Sequence, residues 1–98
     1  MKDKQLKKRK KMLEVKKFSA AWCGPCRALA PVMNEIKGQF DNVKFTEYDV
    51  DEAYEAATEY GIRSVPTVVL VKDGVEINRF TGMSSKMAYV NAINEGLK

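Results

Sequence analysis

MLEVKKFSAAWCGPCRALAPVMNEIKGQF, Met12 to Phe40, contains the change of period on which the fold turns. From Met12 to Ser19 the residues alternate. Leu13, Val15 and Lys17 share one face, and Met12, Glu14, Lys16 and Phe18 share the other, which predicts a strand. From Gly24 onward Leu29, Val32, Met33, Ile36 and Phe40 recur at helical spacing and predict a helix to Phe40. Pro31 should kink it, because proline removes a backbone bond and crowds the preceding turn. Between the two periods stands Trp22-Cys23-Gly24-Pro25-Cys26. Two cysteines with two residues between them, at a helix start, lie one turn apart and can pass between dithiol and disulfide with little backbone change. Free N–H groups and the positive end of the helix dipole favour a thiolate on Cys23. Cys26, one turn inside, is expected to be the more buried and suited to resolve a mixed disulfide. The pair taken alone leaves open an inert dithiol or half of a metal site shared between subunits.

Working outward, Asp41-Asn42 reads as a turn and Val43–Asp49 as a second strand, with Val43, Phe45, Glu47 and Asp49 on one face. Asp51 to Tyr60 reads as a short helix with Ala53, Ala56, Ala57 and Tyr60 inward and Gly61 at its end. Thr67–Lys72 is almost wholly apolar, as a central strand is. Lys72-Asp73-Gly74-Val75 signals a hairpin into a returning strand, Glu76–Thr81. Ser84 or Ser85 should cap a last helix to about Gly96, burying Tyr89, Val90, Ile93 and Leu97. The order β-α-β-α-β-β-α predicts an α/β fold with helices on both faces of the sheet.

At 98 residues the chain has room for one domain. No apolar run approaches the roughly 18 residues of a membrane span. The net charge of +4 divides unevenly. Residues 1–17 hold nine basic and two acidic residues, a net of +7, and residues 18–98 carry −3. A uniformly basic nucleic-acid surface therefore does not follow from the total. Met1–Lys11 reads as a basic arm or short solvated helix, and residues 12–98 as the domain proper. Histidine is absent and Cys23 and Cys26 are the only cysteines. That excludes Ser-His-Asp and Cys-His catalysis within the chain, and zinc or iron–sulfur sites needing four such ligands from one copy. Arg27 stands where a c-type haem attachment needs histidine. The basic start runs into no apolar stretch of the kind an export signal has, so the chain reads as cytoplasmic, where one dithiol suggests redox work.

The sequence resembles the thioredoxin family. Trp22-Cys23-Gly24-Pro25-Cys26 matches that family's WCGPC site residue for residue. Pro31 matches its kinking proline, Tyr60-Gly61-Ile62-Arg63-Ser64-Val65-Pro66-Thr67 its segment with a cis-proline, and Gly82 a glycine before the last helix. The resemblance runs from about Met12 to Lys98. It implies the thioredoxin fold and a protein-disulfide reductase, a monomeric electron carrier in cell redox homeostasis, with no bound cofactor beyond its own Cys23–Cys26 disulfide. Its partners would be disulfide-containing proteins and a thioredoxin reductase as donor. Neither membrane nor nucleic acid is expected as a partner. By resemblance Cys23 is the nucleophile and Cys26 the resolving thiol. Pro66 is cis, and Trp22, Gly24, Pro25, Val65, Pro66, Gly82 and Met83 form the substrate-docking surface. The Gly-Pro between the cysteines resembles reductases more than isomerases or oxidases. A glutaredoxin-like carrier and a redox-inert binding module are the competing classes.

Two departures stand out. Only 22 residues precede Cys23, so the family's first strand is expected to be missing. The sheet should then have four strands, in the order second, first, third, fourth. The family also carries a buried Asp six residues before the first cysteine and a Lys on the neighbouring strand, where this chain has Lys17 and Glu47. Both share the phase of apolar neighbours, which predicts an inward-facing, buried ion pair with its charges exchanged. Glu47 is then expected to accept the Cys26 proton with Lys17 holding it, or a neutral Lys17 to act as the base.

Overall fold

The computed structural model describes residues 12–98. The basic arm expected over residues 1–11, and with it the question of a preceding family strand, lies outside the described residues. The described chain runs β1 (Leu13–Ser19), α1 (Gly24–Lys37), β2 (Val43–Asp49), α2 (Tyr54–Glu59), β3 (Thr67–Lys72), β4 (Val75–Thr81) and α3 (Lys86–Leu97). The four strands lie in the order β2-β1-β3-β4, as expected. β1 runs parallel to β2 and antiparallel to β3, and β3 runs antiparallel to β4.

The alternation of β1 sorts its side chains into two cores. Leu13 and Val15 join Leu29, Met33 and Ile36 of α1, Val68 and Leu70 of β3, and Tyr89 and Ile93 of α3. On the opposite face Phe18 packs with Val69, Val71 and Ala57 of α2. Its ring stacks on Tyr48 at a centroid distance of 4.8 Å. Val68 to Val71 are all buried, because β3 is covered on both faces.

Turn chemistry sets the element ends. Asp73 and Gly74 both adopt positive φ, 52° and 87°, as a two-residue hairpin demands. The Asp73 carboxylate also accepts from the Met12 backbone N–H at 2.8 Å, which anchors the start of β1. Ser85 caps α3 by accepting from the Ala88 N–H. Some details differ from expectation. α1 stops at Lys37 because the Gln39 N–H turns to the Ile36 carbonyl at 2.9 Å, tightening the last turn. α2 begins at Tyr54 because Asp49 holds the preceding turn: its carbonyl accepts from Glu52 and Ala53, its carboxylate from Asp51. Leu97 is exposed rather than buried. Gly96 faces the core there, so close to Leu13 and Ile77 that a Cβ would come within 3.1 Å of each.

With only six residues in α2, part of that sheet face carries polar groups. The Lys16 ammonium donates to Glu14 at 3.1 Å and to the Tyr48 hydroxyl at 3.0 Å. Thr46 donates to the same Glu14 oxygen at 2.8 Å. Partial burial works against the Glu14 carboxylate, but the Thr46 hydroxyl and the Lys16 ammonium outweigh it and hold its pKa below the usual range. A lowered folded pKa stabilises the fold above the unfolded-state pKa, and this stability is lost as pH falls through the folded value. Glu14→Gln keeps an acceptor for Thr46 and loses the charge. Urea unfolding at a series of pH values should show the variant less stable at neutral pH, the gap closing as the solution becomes acid.

Candidate active site

β1 delivers the chain to the start of α1 at Cys23, the N-cap, with extended backbone angles of −93° and 115°. Its N–H donates to the Ala20 carbonyl at 3.1 Å, which closes the turn after the strand. Its sulfur accepts from the Cys26 N–H at 3.1 Å, one of the donors a helix start leaves free. Pro25 sits in the first turn, where a missing N–H costs nothing. The Cα atoms of Cys23 and Cys26 are 5.3 Å apart and the two sulfurs are joined as a disulfide. Farther along, Pro31 lies within α1 and leaves the Arg27 carbonyl without its usual donor.

Cys26 is not the more buried cysteine. Cys23 is 3% and Cys26 4% exposed, because both lie in one small apolar cluster with Ala20, edged by Val50 and Val65. The Val65–Pro66 peptide is cis, and Pro66 is buried. Gly82, at φ +89°, donates its N–H to the Pro66 carbonyl at 2.9 Å. This bond ties the loop carrying Met83 to the loop carrying Val65. Around the buried sulfurs the surface is open: Trp22 is 68% and Met83 45% exposed, and Gly24 and Pro25 are exposed as well.

The indole N–H of Trp22 donates to the Asp51 carboxylate at 2.9 Å. Sequence reasoning missed Asp51. The only signal was an acid placed two residues beyond the end of β2.

Lys17 and Glu47 are paired. They stand opposite each other in the β1–β2 register, and the ammonium lies 3.1 Å from the carboxylate. The pair is not buried as a unit, which corrects the expectation. The Lys17 side chain is 10% exposed and that of Glu47 66%. β2 is the edge strand of the described sheet, so its carboxylate reaches solvent, whereas Lys17 comes from the inner strand between Glu47 and Val68. An open cleft of about 470 Å³ has Lys17, Cys26, Arg27, Glu47, Asp49 and Glu52 among its walls. Asp49 shares the phase of Glu47 along β2, a visible signal. Arg27 and Glu52 enter the cleft only through the folding of α1 and the turn before α2.

Among the described residues no group of three or more His, Cys, Asp or Glu side chains could hold a metal ion, and no helix is long and apolar enough to cross a membrane. The redox group is the cysteine pair itself.

Comparison with known proteins places this geometry. The Thioredoxin family pattern matches residues 2–95. Thioredoxin 1 of Synechococcus elongatus is 42% identical over 81 residues, which cover 82% of this chain and 76% of that protein. Among solved structures, Fasciola hepatica thioredoxin superposes with a TM-score of 0.83 at 36% identity, covering 96% of this chain and 89% of its own. The thioredoxin NaTrxh of Nicotiana alata does so at 0.84 and 34%, covering 97% and 85%. With its cysteine pair at the head of α1 beside a cis-proline loop, the chain belongs to the thioredoxin family and is a thiol–disulfide oxidoreductase acting on protein disulfides.

Proposed function

We propose that the reaction runs through Cys23 as nucleophile and Cys26 as resolving thiol. The observation that carries this is the Cys26 N–H aimed at the Cys23 sulfur at 3.1 Å, a donor that favours a thiolate there once the disulfide is reduced. The Cys23 thiolate attacks one sulfur of a substrate disulfide. A bond forms between Cys23 and the substrate, and the other substrate sulfur leaves as a thiolate. Cys26 then loses its proton and attacks the Cys23 sulfur. The Cys23–Cys26 disulfide forms, the second substrate thiolate departs, and two electrons have passed from the dithiol to the substrate. Trp22, Gly24, Pro25 and Met83 supply an exposed rim for the substrate. Val65, held by cis-Pro66 beside the sulfurs and linked through Gly82, offers backbone to an extended substrate segment. Glu47, which walls the same cleft as Cys26, receives the Cys26 proton while Lys17 holds the carboxylate in place.

The protein works as a monomeric electron carrier in the cytoplasm, re-reduced by a thioredoxin-reductase-type donor, because a dithiol oxidised at each turnover needs a reducing compartment. Its partners are disulfide-bearing proteins, with no membrane or nucleic acid.

Three outcomes test these roles. Cys26→Ser should arrest the reaction after the first attack and accumulate a covalent substrate adduct, seen as a mass increase that dithiothreitol removes. Cys23→Ser should form none. Insulin reduction should proceed with NADPH and a thioredoxin reductase and be at least tenfold slower with glutathione; failure with both donors overturns the carrier role. Glu47→Gln should change the pH dependence of the exchange rate, and an unchanged profile would remove Glu47 from proton transfer.

A further inference from the structure

Lys17 is the one charged residue among the described residues that falls with the buried core. Its partner does not share that environment, since the Glu47 side chain is 66% exposed and that of Lys17 10%. A charge standing in water is weakened by the high dielectric and the salt around it, and one enclosed by protein acts more strongly at the same distance. The ion pair is therefore electrically lopsided, and its ammonium is the stronger source on the protein side of the cleft that Cys26 faces.

The other charged groups of that cleft are Arg27 from α1, Asp49 from β2 and Glu52 from the turn before α2. Arg27 is exposed and donates to the Ala21 carbonyl at 2.8 Å. The Asp49 carboxylate accepts from the Asp51 N–H at 2.9 Å, and Glu52 is exposed. None is enclosed as Lys17 is.

A disulfide carries no charge, so the field of Lys17 acts on the reduced form alone. We propose that Lys17 stabilises the negative charge that the reduced Cys23–Cys26 pair carries and thereby raises the reduction potential, making the protein a weaker reductant than the same fold with a neutral side chain at this position. This rests on the Cys23–Cys26 pair as the working dithiol and does not require Glu47 to accept a proton. In the equilibrium that reads it, two glutathione thiols give two electrons to the Cys23–Cys26 bond. The products are glutathione disulfide and the protein dithiol, whose thiolate fraction Lys17 enlarges.

The test is that equilibrium at pH 7, read by alkylation of free thiols and mass. Lys17→Met keeps the length and removes the charge. It should move the equilibrium about tenfold toward the disulfide, about 30 mV. Lys17→Arg should stay near the parent. Glu47→Gln, at an exposed position, leaves the ammonium unopposed and should shift the equilibrium the other way, two- to threefold toward the dithiol. An unmoved Lys17→Met, or the Met and Gln variants moving in the same direction, overturns the proposal. If circular dichroism shows Lys17→Met unfolded, Glu47→Gln decides alone, and no shift or a shift toward the disulfide overturns it. A Glu47→Gln variant with an unchanged pH–rate profile but a shifted equilibrium removes the proton-acceptor role and upholds this one.

Discussion

The site depends on β1 being hydrogen-bonded along both edges. The parallel ladder with β2 and the antiparallel ladder with β3 fix its register from two sides. A slip of one residue would send Leu13, Val15 and Lys17 to the face now holding Phe18 and would empty both cores. The same pairing aims the end of the strand, so Cys23 arrives at the start of α1 with its sulfur under the Cys26 N–H. Thiol chemistry is a consequence of where a doubly paired strand stops.

Around that strand the molecule spends its apolar residues unevenly. One face has α1 and α3 and the larger cluster, and the other has six residues of α2 and a smaller one. Glu14, Lys16, Thr46 and Tyr48 occupy the thinly covered part, each making hydrogen bonds, so polar atoms stand there without being left unpaired. The alternation of β1 thus serves two surroundings: a dry one for Leu13 and Val15, and a partly wet one for Glu14 and Lys16.

Periodicity carried most of the fold into view. Period two in Met12–Ser19 and Val43–Asp49, apolar saturation in Thr67–Lys72 and the Asp73-Gly74 turn each have a local cause, and each element formed where its pattern stood. The element ends were harder to see. The late start of α2 comes from three hydrogen bonds to Asp49, and the buried end of α3 from the close approach of Gly96 to Leu13 and Ile77. Both depend on neighbours that a run of letters does not display.

Within the site the cysteine spacing, Pro66 and the candidate docking residues stand in one stretch or in motifs that can be read singly. That Lys17 meets Glu47 could be foreseen from shared phase on adjacent strands. Sequence alone determined that this chain carries one dithiol at a strand-to-helix junction, because spacing and period are local properties. Only the tertiary structure decided the rest. It enclosed Cys23 as fully as Cys26, set Asp51 on the indole of Trp22, and left Glu47 in water while Lys17 stayed inside. The physical reason is that burial belongs to a strand's place in the sheet and to what packs over it, and an edge strand and an inner strand can carry the same alternation.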